Sequence, residues 1–96
     1  MPELKRYKFG RIYKVVNDID DTVFISSTVQ ALSSRMSGHR VTAKRGGLAP
    51  VHQYMRKIGI KHFKIVLIEK IANVNKEELC AREDYWIEKL NAADQK

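Results

Sequence analysis

The stretch "RIYKVVNDIDDTVFISS", residues 11–27, decides the fold. Its two ends, "RIYKVVN" (11–17) and "TVFISS" (22–27), are rich in the β-branched and aromatic side chains that suit a pleated, half-buried surface. Between them "DIDD" is short and polar, so the pair predicts a hairpin with an acidic loop. Further along, "KHFKIVLIEKI" (61–71) is the strongest strand pattern in the chain, with Phe63, Ile65 and Leu67 expected on one side.

The segments between and after these strands carry helical punctuation. Ser27 and Gln30 have the spacing of a capping box, with Val29, Leu32 and Met36 following at helical intervals, so a helix is expected to open near Ser27. "RVTAKRGG" (40–47) reads as a loop broken by Gly46-Gly47. Pro50 suits a first helical turn, Val51, Tyr54, Met55 and Ile58 form an i, i+3, i+4, i+7 stripe, and Gly59 ends it. Asn75 and Glu78 then cap a last helix reaching about Leu90. The order ββααβα predicts an α+β domain: a small sheet with helices packed on it. Residues 1–9 are basic and poorly patterned and are expected to form an N-terminal arm.

Ninety-six residues suffice for one modest core. No apolar run is long enough to span a membrane, the opening residues lack the apolar segment of a secretory signal, and the single Cys80 excludes an internal disulfide. An intracellular setting, cytoplasm or nucleus, is therefore expected. The net charge of +7 is unevenly placed: residues 1–57 hold eleven Lys and Arg against four acids, while 58–96 are balanced. No Asp or Glu falls between Thr22 and Ile68, whereas Arg40, Lys44, Arg45, Arg56, Lys57 and Lys61 all do. Such a one-signed stretch attracts polyanions, nucleic acid first, and these six residues are the candidate phosphate contacts.

Two placements do not follow from packing. On a helical wheel that takes Leu79 as zero, Cys80, Trp86, Ile87 and Leu90 fall in an arc from about −20° to +100°, and Glu83 lies at about 40°, inside it. A carboxylate on an inward face must be neutralised, hydrogen-bonded or bound to a cation. Either a structural partner such as Arg35 or Tyr13 satisfies it, or it belongs to a site. In the first helix, taking Val29 as zero, Arg35 and His39 lie near −120° and −80°, at the edge of the apolar stripe and one turn apart. There an arginine can present its planar fork to phosphate oxygens, and a histidine can donate a hydrogen bond or move a proton.

Taken in order, "RIYKV", "FISST", the Arg35-x-x-x-His39 helix, "GIKHFKIVLIE" and "REDYWIEKLN" resemble the GIY-YIG nuclease domain, over residues 10–91, leaving 92–96 as a tail. The resemblance implies a three-stranded antiparallel sheet flanked by three helices, and divalent-metal-dependent cleavage of DNA, duplex or branched. It matches Tyr13 to the tyrosine of the first signature, Arg35 to the catalytic arginine, His39 to the histidine one turn on, and Glu83 to the metal-binding glutamate. Two departures accompany it: Arg11 replaces the first glycine, and the second signature reads Phe24-Ile25-Ser26, without its tyrosine hydroxyl or its glycine.

Hydrolysis of a phosphodiester needs an activated water, charge cancellation at the transition state and a stabilised leaving oxygen. On this reading Glu83 holds one Mg²⁺ or Mn²⁺ with waters filling most of its shell, Arg35 donates to the scissile phosphate, and Tyr13 with His39 orients or deprotonates water. Target choice would rest with a partner protein or domain. Two other readings stand beside it: a catalytically inactive nucleic-acid-binding module of the same fold, and a basic interaction domain in which Glu83 is a satisfied core acid.

Overall fold

The hairpin forms where its two runs predict it. In the computed structural model, which describes residues 5–90 and 92–94, β1 (Arg6–Asn17) pairs antiparallel with β2 (Phe24–Thr28), with Tyr13 opposite Ser26 and Val15 opposite Phe24. The acidic loop is held by its own chemistry: the Asn17 side-chain oxygen accepts the N–H groups of Ile19 and Asp20, both at 2.8 Å. Tyr54 then donates its hydroxyl to Asp20, tying the loop to a helix and holding the Asp20 carboxyl well below the usual carboxylate range, with Asn17 assisting.

Then come α1 (Leu32–Lys44), α2 (Pro50–Ile58), a 3-10 turn at Ile60–His62, β3 (Phe63–Asn75) and α3 (Lys76–Lys89). β3 pairs antiparallel with β1, so the three long strands make an antiparallel sheet with three helices in the order ββααβα. A two-residue β4 (Ala93–Asp94) adds to the free edge of β2 in parallel, giving the order β3-β1-β2-β4. No helix among the described residues is long and apolar enough to cross a membrane.

The sheet separates two cores. Tyr13, Val15, Phe24 and Phe63 pack with Met36 and Ala43 of α1 and Val51 and Met55 of α2. Ile12, Ile25 and Val74 pack with Leu79 of α3. α3 comes so close to β1 that a Cβ on Gly10 would lie 2.7 Å from Val74 and 2.8 Å from Leu79. Asn75 caps that helix as expected, accepting the Glu78 N–H at 2.8 Å while Glu78 Oε1 accepts the Asn75 N–H at 3.1 Å. α2 likewise begins at Pro50 and stops at Gly59, whose φ of 118° lies where glycine is favoured.

Three expectations are corrected. β1 starts at Arg6, so residues 6–9 are strand and not arm; residues 1–4 of that arm, Asn91, and residues 95–96 of the tail lie outside the described residues. α1 opens at Leu32 after Ala31, which makes no side-chain cap, because Ser27 remains in β2 and its hydroxyl is engaged elsewhere. The expected loop at 40–47 is helical as far as Lys44, because Ala43 is fully buried in the first core and draws the extra turn with it. Phe63, Ile65 and Leu67 share one side of β3 as expected, opposite Asn17, Val15 and Tyr13 in an unbroken register, with Leu67 45% exposed. Beyond Leu67 the β1–β3 register shifts, between Tyr13, opposite Leu67, and Ile12, opposite Glu69, which leaves Ile68 as the extra residue of a bulge.

Candidate active site

Tyr13 is fully buried in the middle of the sheet, and α1 crosses it. The inward residues of that helix are Met36, His39 and Ala43, three and four apart. Because Val29 lies before the helix, the stripe of Leu32, Met36 and Ala43 centres near about −40° on the wheel described above, which brings His39 inside it and leaves Arg35 on its edge. His39 is accordingly only 3% exposed, and Arg35 is half-buried.

These three side chains meet. Arg35 Nε donates to the Tyr13 hydroxyl at 3.2 Å, and that hydroxyl lies 2.9 Å from His39 Nε2. The other nitrogen of His39, Nδ1, lies 2.9 Å from Nε2 of His52 on α2, a residue not singled out in the sequence. Burial, then the Arg35 charge, then His52 push the His39 pKa down to about 4. Burial, Arg35 and Arg56 lower that of His52 as well. At neutral pH His39 is therefore an uncharged imidazole with one donor and one acceptor nitrogen.

That depression has a consequence for stability. In the unfolded chain the imidazole protonates near 6.5, whereas in the fold it protonates only near 4. Acid therefore favours the unfolded state across that interval, and stability present above pH 6.5 is expected to be lost progressively as the pH falls towards 4. Thermal melts from pH 7.5 to 4 check this, with His39→Gln expected to flatten the slope; a wild-type midpoint that does not fall across the interval would contradict it.

Glu83 points inward, as the wheel predicts, and is fully buried. Its Oε1 accepts the Ser27 hydroxyl at 2.9 Å and the Ser26 hydroxyl at 3.3 Å. Ser26 sits opposite Tyr13 in the β1–β2 ladder, so the acid and the phenol approach neighbouring positions of the sheet. A cavity of about 480 Å³ is lined by Ser26, Ser27, Arg35, His39 and His52 together with Tyr7. Carboxylate and hydroxyl oxygens are hard donors of the kind Mg²⁺ and Mn²⁺ accept. Among the described residues no group of three or more His, Cys, Asp and Glu could share a metal ion. Of these donors Ser26 and Ser27 line the cavity, whereas Glu83 is fully buried and is not among the lining residues.

The other positions are distributed as follows. Phe24 is 4% exposed and packs at 5.7 Å between ring centroids from Tyr54, in the core and not on the cavity wall. Arg40, Lys44, Arg45, Arg56, Lys57 and Lys61 are all exposed, on α1, its C-terminal end, α2 and the 3-10 turn. Arg56 also donates to the Ala43 carbonyl at 3.0 Å, bracing α2 against α1. The signal that could have marked His52 is faint. It flanks Val51 on the α2 wheel at about 100°, beside the apolar stripe, as many solvated residues do.

Comparison with solved structures identifies the architecture. The catalytic domain of the homing endonuclease I-TevI superposes with a TM-score of 0.74 over 88% of this chain and 96% of that one, at 21% identity. A mutant form of the same intron endonuclease domain gives 0.74 over 86% and 84%, at 22% identity. The chain therefore has the GIY-YIG fold. No family model matches the sequence. Two proteins of Invertebrate iridescent virus 6 are similar to it: the uncharacterized protein 019R, 38% identical over 80 residues, and the putative MSV199 domain-containing protein 146R, 32% identical over 78. The matches cover 83% and 81% of this chain but 29% and 32% of those proteins, so the chain spans less than a third of the length of either.

Proposed function

We propose that this chain is a metal-dependent endonuclease domain that hydrolyses DNA phosphodiester bonds, duplex or branched, with target choice supplied by a partner protein or domain. The observation that carries this reading is the convergence of Arg35, Tyr13 and His39 within hydrogen-bond distance, on a fold shared with a nuclease catalytic domain. Arg35 neutralises the scissile phosphate, where fixed positive charge counts most in the transition state. Tyr13 orients the attacking water through its oxygen, and His39 fixes the phenol. Glu83 would hold the divalent cation, which when bound would supply Lewis-acid stabilisation of charge developing at the phosphate. Incubation with supercoiled plasmid and Mg²⁺ or Mn²⁺ tests the reading: nicked circles are expected, and intact plasmid with both metals would count against it.

Binding follows from the exposed cations. DNA affinity is expected to fall steeply between low and moderate salt as counterions are released. Reversing Lys44 and Arg45 to Glu removes two phosphate contacts and should weaken binding to all sequences alike, by about tenfold or more, with a log–log salt slope shallower by about 2. Anisotropy titrations at several salt concentrations measure both, and a salt-independent affinity would remove nucleic acid from the account.

The inactive binding module has observations of its own in its favour. Glu83 is enclosed and engaged by two serines, and Phe24 lies in the core. Salt-dependent DNA binding without nicking under either metal would select it.

A further inference from the structure

The cavity beside Ser26 and Ser27 has a second wall that the mechanism does not use. β4 pairs with β2 only at Phe24 and Ile25, so Ser26–Thr28 run on beyond it, and the cavity of about 480 Å³ lies there. α1 packs on one face of the sheet and α3 on the other. The cavity touches both: Arg35 reaches it from α1, and Lys76 from the first position of α3.

Arg35 and Lys76 are the fixed charges on this wall, and no carboxylate of the described residues lines it. His39 and His52, both with lowered pKa, add no charge at neutral pH. The Lys76 ammonium is exposed and makes no hydrogen bond or ion pair among the described residues, whose ion pairs are Arg6–Glu78, His62–Asp18 and Arg82–Glu69. Glu77 and Glu78 share its helical turn, but neither lines the cavity. Glu78 is held by the Asn75 N–H and by Arg6 at 2.7 Å.

Lys76 also stands at the wrong end of its helix. The dipole of α3 favours anions in the first turn and cations in the last, where Lys89 is found. A lysine at the first position weakens the helix that it opens, so helix stability does not account for it. Two cations that reach one cavity from opposite faces of the sheet repel each other until an anion enters.

We propose that Lys76 is a substrate-binding residue that takes the phosphate next in line to the one held by Arg35, so that the cavity seats one nucleotide by its two flanking phosphates. Val29, Val51 and Leu79 give the cavity an apolar wall on which a sugar or base can pack. The assignment rests on the nuclease reading for which phosphate is cut, but its test needs neither metal nor cleavage.

Lys76→Gln removes the charge and keeps the reach. In metal-free anisotropy titrations it should weaken DNA binding by about threefold to tenfold and make the log–log salt slope shallower by about 1. Lys89→Gln removes the same charge at the far end of the same helix and should change neither. The melting temperature of Lys76→Gln should equal or exceed that of the wild type, so that lost binding is not lost folding. Thymidine 3′,5′-bisphosphate should bind the wild type more tightly than thymidine 5′-monophosphate in an NMR titration, and Lys76→Gln should erase the difference. A Lys76→Gln variant that binds DNA as Lys89→Gln does would overturn the assignment. So would a preference for the bisphosphate that survives the substitution, or failure of both nucleotides to bind. Plasmid nicking with unaltered binding in Lys76→Gln would leave the nuclease reading standing without Lys76. The selective loss without any nicking would keep the subsite and remove the nuclease.

Discussion

Glu83→Gln is expected to reduce metal-dependent plasmid nicking by at least about 10²–10³-fold, because the carboxylate is the anionic ligand in the proposed site and its charge is what retains a divalent ion. The replacement keeps the shape of the side chain and an oxygen that can still accept from Ser27 at the position now 2.9 Å away. Stability should be retained or raised, since an enclosed charge is removed and the packing is kept. Calorimetric titration with Mn²⁺ beside the cleavage assay separates the effects: lost metal binding with an unchanged melting temperature supports the role. A variant that cuts as fast as wild type would sink the assignment of Glu83. One that unfolds would show a structural role for its charge.

Tyr13→Phe should have an effect of similar size by a different route. The hydroxyl is the point where Arg35 and His39 meet, at 3.2 and 2.9 Å, so deleting one oxygen disconnects both from the reaction centre. Loss of a well-placed water-orienting or proton-transferring group typically lowers turnover by about 10²–10⁴-fold. The loss should appear in the catalytic rate with DNA affinity little changed, because the oxygen acts on water and not on the phosphate backbone. Some stability should go with it, about 1–3 kcal/mol, as a buried imidazole nitrogen loses its partner. Single-turnover cleavage and denaturant melts measure the two quantities. Unchanged cleavage would mean that water is activated elsewhere in the site.

Much of the fold is legible in the sequence because its signals are local. The two β-branched runs, the Pro50 start and Gly59 stop of α2, and the Asn75–Glu78 capping box each depend on residues within a turn or two of one another, and each forms where expected. The inward direction of Glu83 is also local, since helical periodicity fixes it relative to Leu79. The misread stretches are those where a local signal competed with a distant partner. Ser27 has the spacing of a helix cap, yet its hydroxyl goes to Glu83, fifty-six residues away. Residues 40–44 look like loop because they are polar, but the burial of Ala43 between α1 and α2 extends the helix.

The sequence by itself therefore determined the order of elements, the basic surface and the inward carboxylate, all set by short-range backbone preferences and by charge. The meeting of Arg35, Tyr13 and His39 and the addition of His52 behind them were decided by the tertiary structure. The strand, α1 and α2 that carry those side chains are brought together by packing across the first core. Periodicity gives the direction of a side chain from its own axis. Which nitrogen faces which oxygen depends on how helices and sheet settle against each other, and that is fixed by the whole core at once.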